Sequence, residues 1–329
     1  MRIVSGIQPT GNLHLGNYLG AIKRWCRLQH QAECFIFLAD LHAITVWIDP
    51  AELASNVREM AAALIACGIE PERVVLFNHS RVAAHPELTW ILNCTARMGW
   101  LQRMTQFKEK SGKNKEAVSV GLFDYPVLQA ADVLLYHATH VPVGEDQKQH
   151  IELIRDIAQK FNNDYRTELF TLPAPLIGET GARIMSLRDG TAKMSKSDPS
   201  DMSRINLTDG PDLIVQKIRK ARTDAEPLPE TMEGLAGRPE AVNLISIYAV
   251  LADVAPAAVL ERFAGQGFGA FKPALADLVV ETMRPINERF EALRGDRAAI
   301  DAILARGAEK ASVVARPTLE AAYRAVGLR

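Results

Sequence analysis

Residues 1–25 read MRIVSGIQPTGNLHLGNYLGAIKRW: an apolar run, "RIVSG", breaks into a turn of Gly, Pro and Asn and resumes at helical spacing. A strand, a glycine turn and a helix in that order open a βα unit. The alternation continues through "CFIFLAD" (34–40), a helix from Pro50 and "RVVLFN" (73–78). That pattern predicts an α/β fold around a largely parallel sheet. The second helix is marked at both ends. Asp49 is placed to cap it, Pro50 suits its first turn, Glu52 is spaced to complete a capping box, and Gly68 can leave it in a left-handed conformation.

Further along, "YPVLQAADVLLY" (125–136) is apolar except for Gln129 and Asp132, and "VPVGEDQKQHIELIRDIAQKF" (141–161) runs from strand through turn into a long helix. Between 105 and 118 a polar, lysine-rich stretch with Gly112 is expected to be a mobile excursion. After Asp201 the β-branched runs stop. "PDLIVQKIRKA", "PEAVNLISIYAVLADV" and "KPALADLVVETMRPINERFEAL" are helical patterns between Gly/Pro turns, and the Ala-rich end reads as a terminal helical pair. The expected division is a sheet domain over 1–200, a smaller helical domain over 201–290 built from Pro211 to about Phe290, and terminal helices over 291–329 that return to the first domain.

The chain has 329 residues, with 38 basic and 39 acidic side chains giving a net charge of −1. A nucleic-acid partner would therefore meet a local positive surface, for which Lys217, Arg219, Lys220 and Arg222 are candidates. A solvated helix face is the competing reading of that run. Cys26, Cys34, Cys67 and Cys94 lack zinc-knuckle spacing. Free buried thiols in a reduced, cytoplasmic setting are expected, with no signal peptide before the first strand. No apolar stretch approaches the roughly 20 residues that span a bilayer, so no membrane role is expected.

Two loops carry the chemistry. "GNLHLGN" (11–17) can aim backbone N–H groups and a helix start at an anion, with His14 and Asn17 as side-chain donors. Its spacing is neither the dinucleotide fingerprint nor the P-loop. "TAKMSKSDP" (191–199) brings Lys193 and Lys196 with Ser195 and Ser197, mobile cations and hydroxyls that can follow charge migrating in phosphoryl or nucleotidyl transfer. Asp132 is costly in so apolar a helix without a partner. A helix cap, a basic core neighbour or a ligand donor would each supply one.

"HLGN" resembles the HIGH element, and "KMSKS" (193–197) the partner element, of class I aminoacyl-tRNA synthetases. With "SGIQPTG" (5–11), "HAITVW" (42–47), "YPVLQAAD" (125–132) and "VPVGEDQKQH" (141–150) in order, the chain is similar to the bacterial-type tryptophanyl branch of that family. The resemblance implies a Rossmann-like catalytic domain with a helical anticodon-binding domain. It also implies a reaction in which L-tryptophan and ATP form tryptophanyl-adenylate and pyrophosphate, after which tryptophan passes to its tRNA. Mg2+ would arrive chiefly on ATP, no protein metal site is expected, and the partners would be L-tryptophan, tryptophan tRNA and a second copy in a homodimer.

Carried over residue by residue, the resemblance gives catalytic roles to His14, Asn17, Lys193, Ser195 and Lys196. Those residues, with Gln8, Pro9, Thr10, Gly16, Gly144, Ile184 and Met194, would surround ATP, and Asp146 would contact its ribose. Gly6, Gln8, His42, Tyr125, Gln129, Asp132, Val141, Val143 and Gln147 would line the amino-acid pocket, with Asp132 reading the indole N–H and Tyr125 and Gln147 the amino group. Gln129 stands where the family commonly has methionine, and Asn17 where many class I relatives have histidine. A tyrosyl-tRNA synthetase, an inactive RNA-binding paralogue and a small-metabolite adenylyltransferase are the alternatives.

Overall fold

The structure is a computed structural model that describes residues 1–105, 118–144, 148–176 and 183–329. Among the described residues five parallel strands form one sheet in the order β3-β2-β1-β4-β5. They are β1 (Arg2–Ile7), β2 (Glu33–Leu38), β3 (Val74–Asn78), β4 (His140–Pro142) and β5 (Ala174–Leu176). The order reverses at β1, where the chain crosses to β4. Such a reversal opens a crevice at the carboxyl ends of the strands.

The strands read as continuous apolar runs because both faces are covered. Alternate residues Ile3, Cys34, Ile36, Val74 and Leu76 enter one buried core, while Val4, Phe35, Phe37 and Phe77 enter the other. The first core runs without a break from the sheet through the Pro50–Ala66 helix into the helices Pro239–Ala252 and Phe268–Gly295. The second holds the Val120–Leu134 and Lys148–Asp164 helices against the opposite face.

The local signals of the Pro50–Ala66 helix are realised in part. The Asp49 carboxylate accepts from the N–H groups of Ala51 (2.9 Å) and Glu52 (3.0 Å), and Gly68 leaves at φ +112°. Glu52 does not complete a capping box among the described bonds; its carboxylate faces Asn56 Nδ2 at 3.5 Å.

Two further expectations differ from what is observed. The chain's last helical segment is a single helix, Arg297–Ala325, instead of a pair. Its first half, with Ile300 and Leu304, lies in the first core, and its second half, with Ala308, Ala311 and Ala315, lies in the second. It therefore crosses the β3 edge of the sheet, and Gly307 marks the crossing. A Cβ there would stand 1.8 Å from the Leu76 carbonyl oxygen, so only glycine permits the approach. The four cysteines are free, but Cys94 is exposed and Cys26 half-buried instead of buried. Among the described residues no single helix is long and apolar enough to cross a membrane. The expectation for a mobile 105–118 stretch falls largely on residues outside those described.

Candidate active site

The segments that leave the carboxyl ends of the strands build the crevice. After β1 the backbone turns at Gly11 (φ +61°) and enters a helix at Leu15, with His14 as its cap. His14 Nδ1 accepts from the Asn17 N–H (3.3 Å), while Asn17 Oδ1 accepts from the His14 N–H (3.2 Å). That reciprocal box fixes the ring. With Nδ1 used as an acceptor, the proton of the neutral imidazole sits on Nε2, leaving an N–H donor. Burial, then the charges of Lys196, Arg204 and Lys193, lowers the His14 pKa to about 4, so neutral is its state near pH 7.

The second loop lies against the first. Lys196 Nζ donates to the carbonyls of Thr10 and Gly11, the latter at 3.2 Å. A Cβ on Gly16 would sit 3.4 Å from Met194 Cβ, so the two loops approach closely at that glycine. Ile184 and Met194 are buried core residues, and the Met194 N–H donates to the Ile184 carbonyl at 3.0 Å, which supports the loop from beneath. Lys193 is exposed, and Ser195 Oγ lies 2.8 Å from Ser197 Oγ. Burial lowers the Lys196 pKa to about 8.

Asp132, fully buried, meets three imidazoles: His42 Nε2 at 2.8 Å, His79 Nε2 at 2.6 Å and His85 Nδ1 at 2.7 Å. Burial would raise its pKa, yet the histidines hold it well below the usual carboxylate range. Thus the basic core neighbour that the sequence left open exists, in three copies. His42 comes after β2, and His79 and His85 come after β3. Asp40 fixes that second turn by accepting from Ser80 N (2.8 Å) and Asn78 Nδ2 (3.1 Å). Gly6 at the end of β1 makes room for Phe37, whose ring would lie 2.4 Å from a Cβ there and which rests against His79.

Tyr125 lies on the same helix as Asp132, edge-on to His42, with its hydroxyl 3.0 Å from His150 Nε2. Gln129 is half-buried on that helix, as is Val143 beyond β4, while Val141 is buried in β4. Gln8 and Gly144 are exposed, Thr10 is half-buried and Pro9 is buried. The expectations for Asp146 and Gln147 lie outside the described residues. By distance, His42, His79 and Asp132 could ligate a cation, their donor atoms lying within 4.8 Å of one another. Instead both imidazoles contact the Asp132 carboxylate directly.

One expectation is corrected. Lys217 does not belong to an exposed basic run: it is completely buried, with Nζ 2.6 Å from Asp209 and 2.7 Å from Asp201. Arg219 and Lys220 are exposed, and Arg222 reaches Glu240 at 3.4 Å. The Asp209 carboxylate also accepts from the Asn206 N–H (2.8 Å), and the backbone on either side of Asn206 pairs with Leu13 and Leu15. Lys217 thus braces the strap that joins the lysine loop to the His14 turn.

A parallel sheet with a histidine turn after its first strand, met by a lysine loop from far along the chain, is the architecture of a class of ATP-using ligases. Residues 1–284 match the family model of class I tRNA synthetases for tryptophan and tyrosine, and the chain belongs to that family. Within it the chain stands with the bacterial tryptophanyl branch. It is 64% identical to the tryptophan–tRNA ligase of Caulobacter vibrioides over 99% of this chain and 95% of that protein. The crystal structure of tryptophanyl-tRNA synthetase from Mycoplasma pneumoniae superposes with a TM-score of 0.89 at 33% identity, covering 100% and 98% of the two chains. That from Campylobacter jejuni, complexed with ADP and tryptophan, gives 0.83 at 36% identity over 100% of both.

Proposed function

We infer that this chain is a tryptophan–tRNA ligase that activates L-tryptophan with ATP, releasing pyrophosphate, and transfers tryptophan from the adenylate to its tRNA. The observation that carries this reading is the meeting of two loops almost two hundred residues apart, with Lys196 seated on the carbonyls of the His14 turn (|i−j| = 186 to Thr10). The substrate carboxylate attacks the α-phosphate, so catalysis consists of positioning and charge stabilisation. The Nε2–H of His14 and the helix start hold phosphate oxygens, and Lys193 and Lys196 follow the negative charge onto departing pyrophosphate. Asp132 accepts the indole N–H. The two loops "HLGN" and "KMSKS" contain no carboxylate, which suits Mg2+ arriving on ATP.

The tyrosyl alternative is disfavoured by the tryptophanyl relatives, and an inactive paralogue or metabolite adenylyltransferase by the two intact loops together with a helical region. Arg219 and Lys220 are the exposed cations for tRNA phosphates. A homodimer is supported by exposed apolar side chains on adjoining elements: Trp47 (85%), Val120 (80%) and Trp90 (71%), with Ser119 donating to the Thr45 carbonyl across the seam. Four free cysteines suit a reduced cytoplasmic setting.

The test is pyrophosphate exchange into ATP with tryptophan, tyrosine or no amino acid, followed by charging of tryptophan tRNA. Exchange dependent on tryptophan alone is expected. Exchange with tyrosine instead, or none from folded protein that binds ATP, overturns the reading.

A further inference from the structure

The contacts around Asp132 are unequal at its two oxygens. Oδ1 is met by two imidazole nitrogens, His79 Nε2 at 2.6 Å and His85 Nδ1 at 2.7 Å, whereas Oδ2 is met by one, His42 Nε2 at 2.8 Å. A carboxylate oxygen has about two in-plane acceptor positions. Oδ1 is hydrogen-bonded to His85 and closed on its other side by His79 Nε2, which stands against it without hydrogen-bond geometry, whereas Oδ2 is bonded to His42 alone and keeps one position open.

Behind His85 lies a third layer. Tyr136 Oη is 2.7 Å from His85 Nε2, and Tyr136 is wholly buried, with its ring stacked on Phe35 at 4.6 Å. A hydroxyl beside an imidazole nitrogen either donates or accepts, and the carboxylate decides which. Were Nε2 protonated, the Nδ1 lone pair of a neutral ring would face a carboxylate oxygen. Tyr136 must then donate to Nε2, and Nδ1–H points at Oδ1. Burial, then the His79 imidazole, lowers the His85 pKa to about 4, and burial raises that of Tyr136 well above its usual value, so this proton arrangement persists across neutral pH.

We propose that Tyr136 and His85 are positioning residues for amino-acid specificity: through the relay Tyr136 O–H to His85 to Asp132 Oδ1 they leave Oδ2 as the single acceptor for the substrate's ring N–H. The proposal rests on Asp132 being the indole reader, and it places part of the discrimination in a side chain that never touches substrate. A pocket built to receive an N–H rejects an isostere lacking it, because the buried acceptor then goes unpaired.

The probes are L-tryptophan and 3-benzothienyl-L-alanine, which carries sulfur in place of the ring N–H, compared by pyrophosphate exchange. Tyr136→Phe keeps the stacked ring and removes only the donor. Its expected effect is about a tenfold loss of kcat/KM for tryptophan, mainly in KM, with the benzothienyl analogue unchanged. Equal losses for both substrates, or none for either, overturn the proposal. His85→Asn supplies an amide N–H that can reach Oδ1 without Tyr136, so adding Tyr136→Phe to that variant is expected to cost nothing further. A full additional loss there also overturns it. Asp132→Asn separates the two levels. If it leaves the preference for tryptophan intact, the indole-reading assignment fails and the proposal with it. If it abolishes the preference while Tyr136→Phe does not alter it, the relay alone fails.

Discussion

Lys196 is held by two carbonyl dipoles and no carboxylate among its described bonds, and burial lowers its pKa to about 8. It is charged at pH 7 and loses that charge as the pH rises through about 8. The kcat/KM for ATP is expected to fall along that limb, and Lys196→Arg, which stays charged, to move the limb upward even if it lowers the maximum. Lys196→Ala should slow adenylate formation on the order of 10²-fold while leaving tryptophan binding nearly unchanged. Stopped-flow tryptophan binding and single-turnover adenylate formation separate the two; equal losses would count against a role in stabilising the leaving group. At this scale the sequence was informative about need and silent about partners. An aspartate in "QAAD" had to be compensated, but His85 lies 47 residues away and His79 farther still, each looking like an ordinary turn or helix residue. Only the rule that strand ends converge on one crevice could have pointed to them.

Among the elements, the Pro211–Arg219 helix sets periodicity against charge. Lys217 shares a stripe with Ile214 and Ile218 at i, i+3 and i+4, the spacing of a buried face, so periodicity already assigned it to the interior while its neighbours in sequence suggested a basic surface. The charge run misled because it was counted along the chain instead of around the helix. Lys217→Met should leave Asp209 buried without its cation and cost roughly 3–5 kcal/mol, with the KM for ATP rising because the strap behind His14 loosens. Denaturant melts and ATP titrations read the two effects, and adding Asp209→Asn should restore part of the stability. The terminal segment misled for the converse reason. Gly307 has the look of a break in an Ala-rich helix, yet it serves a close approach to β3, which nothing local in sequence encodes. Gly307→Ala is expected to destabilise the protein by about 1–3 kcal/mol, seen as a lower Tm, although alanine is the better helix former.

Across the whole molecule the alternation of strands and helices in the first half was legible because apolar runs and capped helices are local signals. Two features were not. The sheet order depends on which crossovers pair, and the continuity of the first core from the sheet to Phe290 depends on contacts between distant elements. Exposed Trp47 and Val120 likewise gain meaning only when their elements are seen side by side. Replacing both with arginine should shift sedimentation from a dimer to a monomer; a wild-type protein that sediments as a monomer at micromolar concentration would remove the dimer from the account.

The crossing of the terminal helix over β3 also bears on solubility. An open parallel sheet ends in two rows of unpaired backbone groups that invite strands from other molecules. Here, among the described residues, β5 offers three residues, a short template, and β3 is overlaid where Gly307 meets the Leu76 carbonyl. Side chains that push this helix away would expose a five-residue apolar strand, "VVLFN", to its own copies. Their first symptom would then be aggregation during expression, before any loss of catalysis could be measured.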